Sequence, residues 1–153
     1  MNKILIHFSK LGTLYNLSFS SQEILGNVII GLDGIHRKIL ILEVSDAIMN
    51  NYVIDLTEVK HCTVKKYYGN IKPGGLKNNK MESFLEKICL HFEFHEEKES
   101  KEVVFYNHNA NQLYELSVLE QKAIHWKEIL EKMLVVGKPR LQDAVGQGNP
   151  LRA

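Results

Sequence analysis

Cysteine is scarce in this sequence: Cys62 and Cys89 are the only two among 153 residues. Two cysteines make no disulfide framework, and their scarcity fits a reducing compartment. An excess of one charge is lacking too. Nineteen Lys and Arg stand against eighteen Asp and Glu, for a net charge of +1. That excludes a strong global attraction to nucleic acid or anionic membrane and leaves room for a local patch. No apolar run approaches the roughly 20 residues of a membrane-spanning helix. The opening Met1-Asn-Lys-Ile-Leu-Ile-His-Phe8 is interrupted by His7, Ser9 and Lys10 before it reaches the length of a secretory signal. The expected address is the cytoplasm. Internal repeats, low-complexity blocks and a Gly-Lys-Ser or Gly-Lys-Thr phosphate loop are also missing, so a nucleotide-hydrolysing site has no support. What remains, 44% hydrophobic and 24% charged residues, is the composition of a globular domain long enough to bury its own core.

The pattern along the chain reads first as strands and then as helix. Val28-Ile-Ile30, the turn signal Gly31-Leu-Asp-Gly34 and the aliphatic Arg37–Val44 run predict a β-hairpin with positive φ at the Asp-Gly pair. Asp46–Asn51 reads as a loop. Tyr52–Leu56 and Val59–Tyr68 alternate, the latter with Lys60, Cys62, Val64 and Lys66 on one side. Gly69–Lys80 is the longest loop, and Glu82–Lys87 fits either helix or strand. Ile88, Leu90, Phe92 and Phe94 point one way, while Cys89, His91, Glu93 and His95 point the other. Glu96–Glu102 is a charged turn before Val103–Tyr106. From Leu113 the apolar residues recur every three or four positions through Leu116, Leu119, Ala123, Trp126, Leu130 and Met133, which predicts a helix. Asn109 or Asn111 would cap it, and Gly137 and Pro139 would end it.

The strand series from Val28 to Tyr106 and the closing helix with Trp126 resemble pleckstrin-homology-like domains. So do the phrases Gly31-Leu-Asp-Gly-Ile-His-Arg-Lys-Ile-Leu-Ile-Leu42 and Val53-Ile-Asp-Leu-Thr-Glu-Val59. The likeness is one of element order over roughly 110 residues and involves no diagnostic motif. It implies an α+β domain over 1–137: a curled antiparallel β-sheet or partly open barrel of roughly five to seven strands, capped by one long C-terminal helix. Such a domain does not require residues 1–26, and 138–153 reads as a flexible tail.

Four constellations bear on function. Lys60, Lys65, Lys66, Lys72, Lys77 and Lys80 fall between Val59 and Met81 with no acidic residue among them. In the family resembled, lysines on a strand and its following loop meet anionic lipid headgroups, and Lys60, Lys65, Lys66 and Lys72 are the candidates here. The bland alternative is a solvated face that deters aggregation. The second constellation, His91 and His95 beside Cys89 and Glu93, offers metal ligands on one strand face. Neighbours there lie roughly 6.5 to 7 Å apart, so a further ligand has to come from another strand. The third is the cysteines as nucleophiles. Cys62 and His61 point to opposite faces, and Cys89 with His91 lacks an orienting third group. The fourth, Tyr67 and Tyr68 beside Lys65 and Lys66, is a weak signal for stacking single-stranded bases. The leading expectation is a non-enzymatic interaction or adaptor module with no cofactor. It would bind a protein partner through a sheet edge or helix groove, or an anionic surface through its lysines. The alternatives are a metal-binding protein or enzyme using His91 and His95, and a protein that self-associates through its hydrophobic first 25 residues. The amphipathic segment Leu11–Leu25 carries Ser, Asn and Gln rather than Lys or Arg on its polar side, which argues against membrane-surface insertion.

Overall fold

The computed structural model describes residues 2–69 and 84–137, and among these it has seven strands, in two antiparallel sheets, and two α-helices. Helix α1 spans Asn2–Leu14. The first sheet follows with strands β1 Ser21–Leu25, β2 Val28–Asp33, β3 Lys38–Ser45 and β4 Ile48–Asp55, in the order β1-β2-β3-β4. A short 3-10 turn, Leu56–Glu58, leads to the second sheet: β5 Val59–Tyr68, β6 Leu85–Phe94 and β7 Lys101–Asn107, in the order β5-β6-β7. Helix α2, Leu116–Gly137, closes the fold. The arrangement is α+β, consistent with a pleckstrin-homology-like one, but the sheets stay separate and do not curl into one barrel. The expected tail at 138–153 lies outside the described residues.

The middle of the first sheet, at β2 and β3, is buried on both faces. Its inward residues, among them Ile30, Leu32, Ile39, Ile41 and Ile54, share one core with Ile88, Leu90 and Phe92 of β6 and with the α2 stripe Leu116, Leu119, Ala123, Trp126, Leu130 and Leu134. Its outward residues Ile29, Leu40 and Leu42 form a second core with Phe8 and Leu11 of α1. This two-sided burial explains why β2 is buried at every position and β3 through Ile39–Leu42, a pattern more usual in parallel sheets than in antiparallel ones. The N-terminal stretch for which the sequence predicts no defined structure supplies the cover, through α1 and Phe19. Helix α1 ends in a Schellman motif: Leu17 N–H donates to the Gly12 carbonyl (2.7 Å) and Asn16 N–H to that of Thr13 (3.1 Å), with Asn16 at φ 59°.

Turn chemistry departs from expectation in three places. The β2–β3 loop places its left-handed residue at Arg37 (φ 58°) instead of at the Asp-Gly pair. Asp33, fully buried, organises that loop by accepting from the N–H groups of Ile35 (3.0 Å) and His36 (2.9 Å) and by pairing with His36 Nδ1 (2.7 Å). The expected loop Asp46–Asn51 shrinks to a two-residue turn, Asp46 (φ 49°) and Ala47 (φ 67°), because β4 begins at Ile48. In β5, a bulge between Val59 and His61 puts both Val59 and Cys62 in the core, which breaks the simple alternation. Leu85–Lys87 resolves as strand, in β6. Gln112 N–H donates to Glu115 Oε1 at 2.7 Å where the last helix begins; Asn111 instead accepts from Asn107 N–H (2.9 Å).

Asp33 also accepts from Ser18 N–H at 2.8 Å, so one carboxylate joins the hairpin to the segment between α1 and β1. Burial alone would raise its pKa. The N–H bonds from His36 and Ser18 and the His36 side chain outweigh burial and hold it well below the ordinary 3.8. A carboxyl depressed in the folded state contributes stability that is full above the unfolded value and is lost as pH falls through the folded one. Asp33→Asn is expected to lower stability at neutral pH by about 1–3 kcal/mol, to flatten the acid limb of the stability profile below the ordinary carboxylate range, and to speed hydrogen exchange at Ser18, Ile35 and His36. Urea titrations across pH and exchange NMR check all three.

Candidate functional site

Strand β5 lies at an edge of the second sheet and carries three of the candidate lysines. From His61 to Tyr67 it pairs with β6 without interruption, so its other side is a regular run of backbone donors and acceptors. Lys60 and Lys65 are exposed. Lys66 projects from the opposite face to Lys65, beside Val64 and Cys62, and its ammonium pairs with Glu120 of α2. The three therefore do not form one flat patch: Lys60 and Lys65 make no ion pair among the described residues, and Lys66 ties the strand to the helix. Lys72 lies outside the described residues.

On the outward face of the same sheet, side chains from all three strands converge. Tyr67 Oη donates to Glu102 Oε2, and His91 Nδ1 meets the same oxygen at 2.9 Å. The Lys87 ammonium sits 4.9 Å from the Tyr67 ring centre, so that ring is already engaged and is no free platform for a base. Cys89, fully buried, lies beside this group. Burial, and then the Glu102 charge, push its thiol up to about 11, which keeps it protonated at neutral pH and removes the thiolate that a nucleophile needs. Cys62, inside the core, is pushed up to about 12 by burial. The bond to Glu102 raises the Tyr67 phenol to about 12. Burial pulls the Glu102 carboxyl up, but the bonds from Tyr67 and His91 prevail and lower it.

Glu102 is thus the third group that orients His91, and sequence reasoning missed it. It was assigned to the charged turn, whereas β7 begins at Lys101 and registers Glu102 opposite His91. The cluster acts as a polar staple across β5, β6 and β7. His95 does not join it: β6 ends at Phe94, and His95 turns toward the 3-10 segment, where its N–H donates to the Glu58 carbonyl at 2.9 Å. There it lines a concavity of about 330 Å³ with Thr57, Glu58, Phe94, Glu96 and Lys98. Among the described residues no three His, Cys, Asp or Glu side chains gather as a metal would need, and no helix is long and apolar enough to cross a membrane.

Glu102→Gln is expected to return the Tyr67 phenol toward its ordinary 10.0 from about 12, and to weaken the fold by about 1–3 kcal/mol through unsatisfied partners. Ultraviolet titration of tyrosine ionisation in the variant and the parent checks the first, and denaturant unfolding the second.

In comparisons with known proteins, no family model, no curated protein and no solved structure matches the chain.

Proposed function

We propose that this protein is a non-enzymatic interaction module of pleckstrin-homology-like architecture, and that it takes an extended, acidic segment of a partner protein along the free edge of β5. The observation that carries the reading is a regular edge strand bearing Lys60 and Lys65, both exposed and without an ion pair among the described residues. A strand added to such an edge gains main-chain hydrogen bonds for affinity. The lysines then select by charge: a neutral or basic strand meets repulsion or unpaired charge, while an acidic one is steered in. The turning of Lys66 to Glu120 favours this reading over a flat anionic membrane, because it takes a cation away from the outward face.

The test is titration of the labelled protein with an extended glutamate-rich peptide, and separately with anionic vesicles, at low and high salt. Amide shifts confined to His61–Tyr67, weakened by salt and reduced about tenfold or more in affinity by Lys60→Glu/Lys65→Glu, are the expected result. Vesicle binding without peptide binding would replace the protein partner with a lipid surface. Binding that survives charge reversal would remove β5 as the site.

A further inference from the structure

The four outer strands are protected unequally. In the first sheet β1 is only five residues long, and its Glu23 is engaged by α2, through Trp126 Nε1 (3.3 Å) and Lys122 Nζ (3.1 Å). In the second sheet β5 carries lysines along its regular stretch and bulges only at its ends, and β7 begins with Lys101-Glu102 and has a register shift at Val104–Tyr106, opposite Cys89 and Ile88 of β6. Short length, bulges and charges are the devices that restrict which other chains an edge can pair with. Strand β4 has none of them. It is eight residues long, its pairing with β3 is continuous, and no charged residue or proline occurs from Ile48 to Ile54. Among the described residues no strand pairs with its far side.

Exposed apolar side chains gather along the same edge. Ile48 is 63% exposed and Met49 38%, at the start of the strand. The end of α1 is fastened beside it by Tyr15 Oη donating to Asn51 Oδ1 at 2.8 Å, which places Leu14, 72% exposed, and Tyr15 next to the edge. The backbone direction is set too. Leu56 N–H donates to the Arg37 carbonyl, so Ile48, Asn50, Tyr52 and Ile54 share its parity and bond inward to β3, while Met49, Asn51 and Val53 present their N–H and C=O groups outward.

We propose that β4 is a homodimer interface, in which two copies pair their β4 strands antiparallel about a two-fold axis and join their four-stranded sheets into one. A two-fold at Asn51 sets Met49 opposite Val53 of the second copy, apolar against apolar, and Asn51 opposite its own equivalent, amide against amide. Asp55 falls opposite Ala47, so no like charges stand directly opposite each other along the pair. This neutrality is what favours a second copy. Isologous pairing brings like-charged residues near their own kind wherever an edge is charged, as at β5, whereas from Ile48 to Ile54 the strand itself has no charged side chain for a charged partner, and the nearby Lys101 ammonium of β7 is seated on the Tyr52 ring at 4.6 Å. The ends of both α1 helices then cover the seam with Leu14 and Tyr15.

Sedimentation equilibrium of the full chain is expected to show a mass rising with concentration from one chain toward two. Met49→Lys/Asn51→Lys, at two exposed positions, is expected to weaken association about 100-fold or more by placing cations across the seam, with the circular dichroism spectrum unchanged. Lys60→Glu/Lys65→Glu is expected to leave the dimer intact, which separates this interface from the proposed partner site. Without any substitution, hydrogen exchange at Met49, Asn51 and Val53 is expected to slow as concentration rises. A mass of one chain at every concentration, or a dimer that survives Met49→Lys/Asn51→Lys, would overturn the proposal.

Discussion

The stack of Phe8 and Phe19 over Gly31 is the contact on which the four-stranded sheet depends. The two rings lie 4.9 Å apart and nearly parallel, with 24° between their planes. The Phe19 ring is held between Gly12 of α1 and Gly31 of β2: a Cβ added at Gly12 would stand 2.8 Å from that ring, and one added at Gly31 would stand 2.7 Å from both rings. Two hydrogen-only side chains, one on the helix and one on the strand, let the helix come close enough to seal the outward face of the sheet. That seal buries Ile29, Leu40 and Leu42, which would otherwise form a large apolar patch in water. At about 1.5–3 kcal/mol for each large side chain fully buried, the second core is a substantial part of a domain's net stability.

The same docking shapes what the surface offers. Because α1 lies over the first sheet and α2 over the inner face of the second, the strand edges are where the proposed recognition would take place. The α2 helix secures the β1 edge through Glu23, and the bulge and lysines of β5 restrict what that edge accepts. The polar staple of Tyr67, His91 and Glu102 stiffens the second sheet from its outward face. It makes the histidine and cysteine of β6 structural in their present arrangement: Cys89 is protonated, and His91 is turned to a carboxylate. A chain with a net charge of only +1 thereby carries one basic edge and one neutral edge, with different expected occupants.

Much of this was legible in the residues, for reasons that differ by element. The α2 stripe from Leu116 to Leu134 and the alternation of Ile88, Leu90, Phe92 and Phe94 are strong periodic signals, because each element turns a regular series of large apolar side chains to one face. Helix α1 and β1 were not legible. Their apolar residues serve a second core that only the folded sheet creates, and Gly31 in a buried strand reads locally as part of a turn signal. The bulge in β5 was hidden because bulges follow from pairing between strands, not from the composition of one. Glu102 was hidden for a related reason: its role depends on the register of β7 against β6, which sequence adjacency does not reveal. The lysines of β5 stand out in the sequence as a stretch without acidic residues, but nothing there shows that Lys66 turns to α2.

The seating of α1 on the sheet depends on the close approach at Gly31, and one substitution tests this by its sign. Glycine in the interior of a strand ordinarily weakens it, so Gly31→Ala would be expected to stabilise by about 0.4–1 kcal/mol if nothing pressed on the site. With two phenyl rings seated there, the added methyl has to displace them, and overpacking of that kind costs about 1–3 kcal/mol. Urea unfolding of Gly31→Ala beside the parent is therefore predicted to show a lower midpoint with the slope unchanged, accompanied by loss of amide protection in α1. A midpoint equal to the parent's or higher would contradict the claim that α1 is seated on the sheet through this contact.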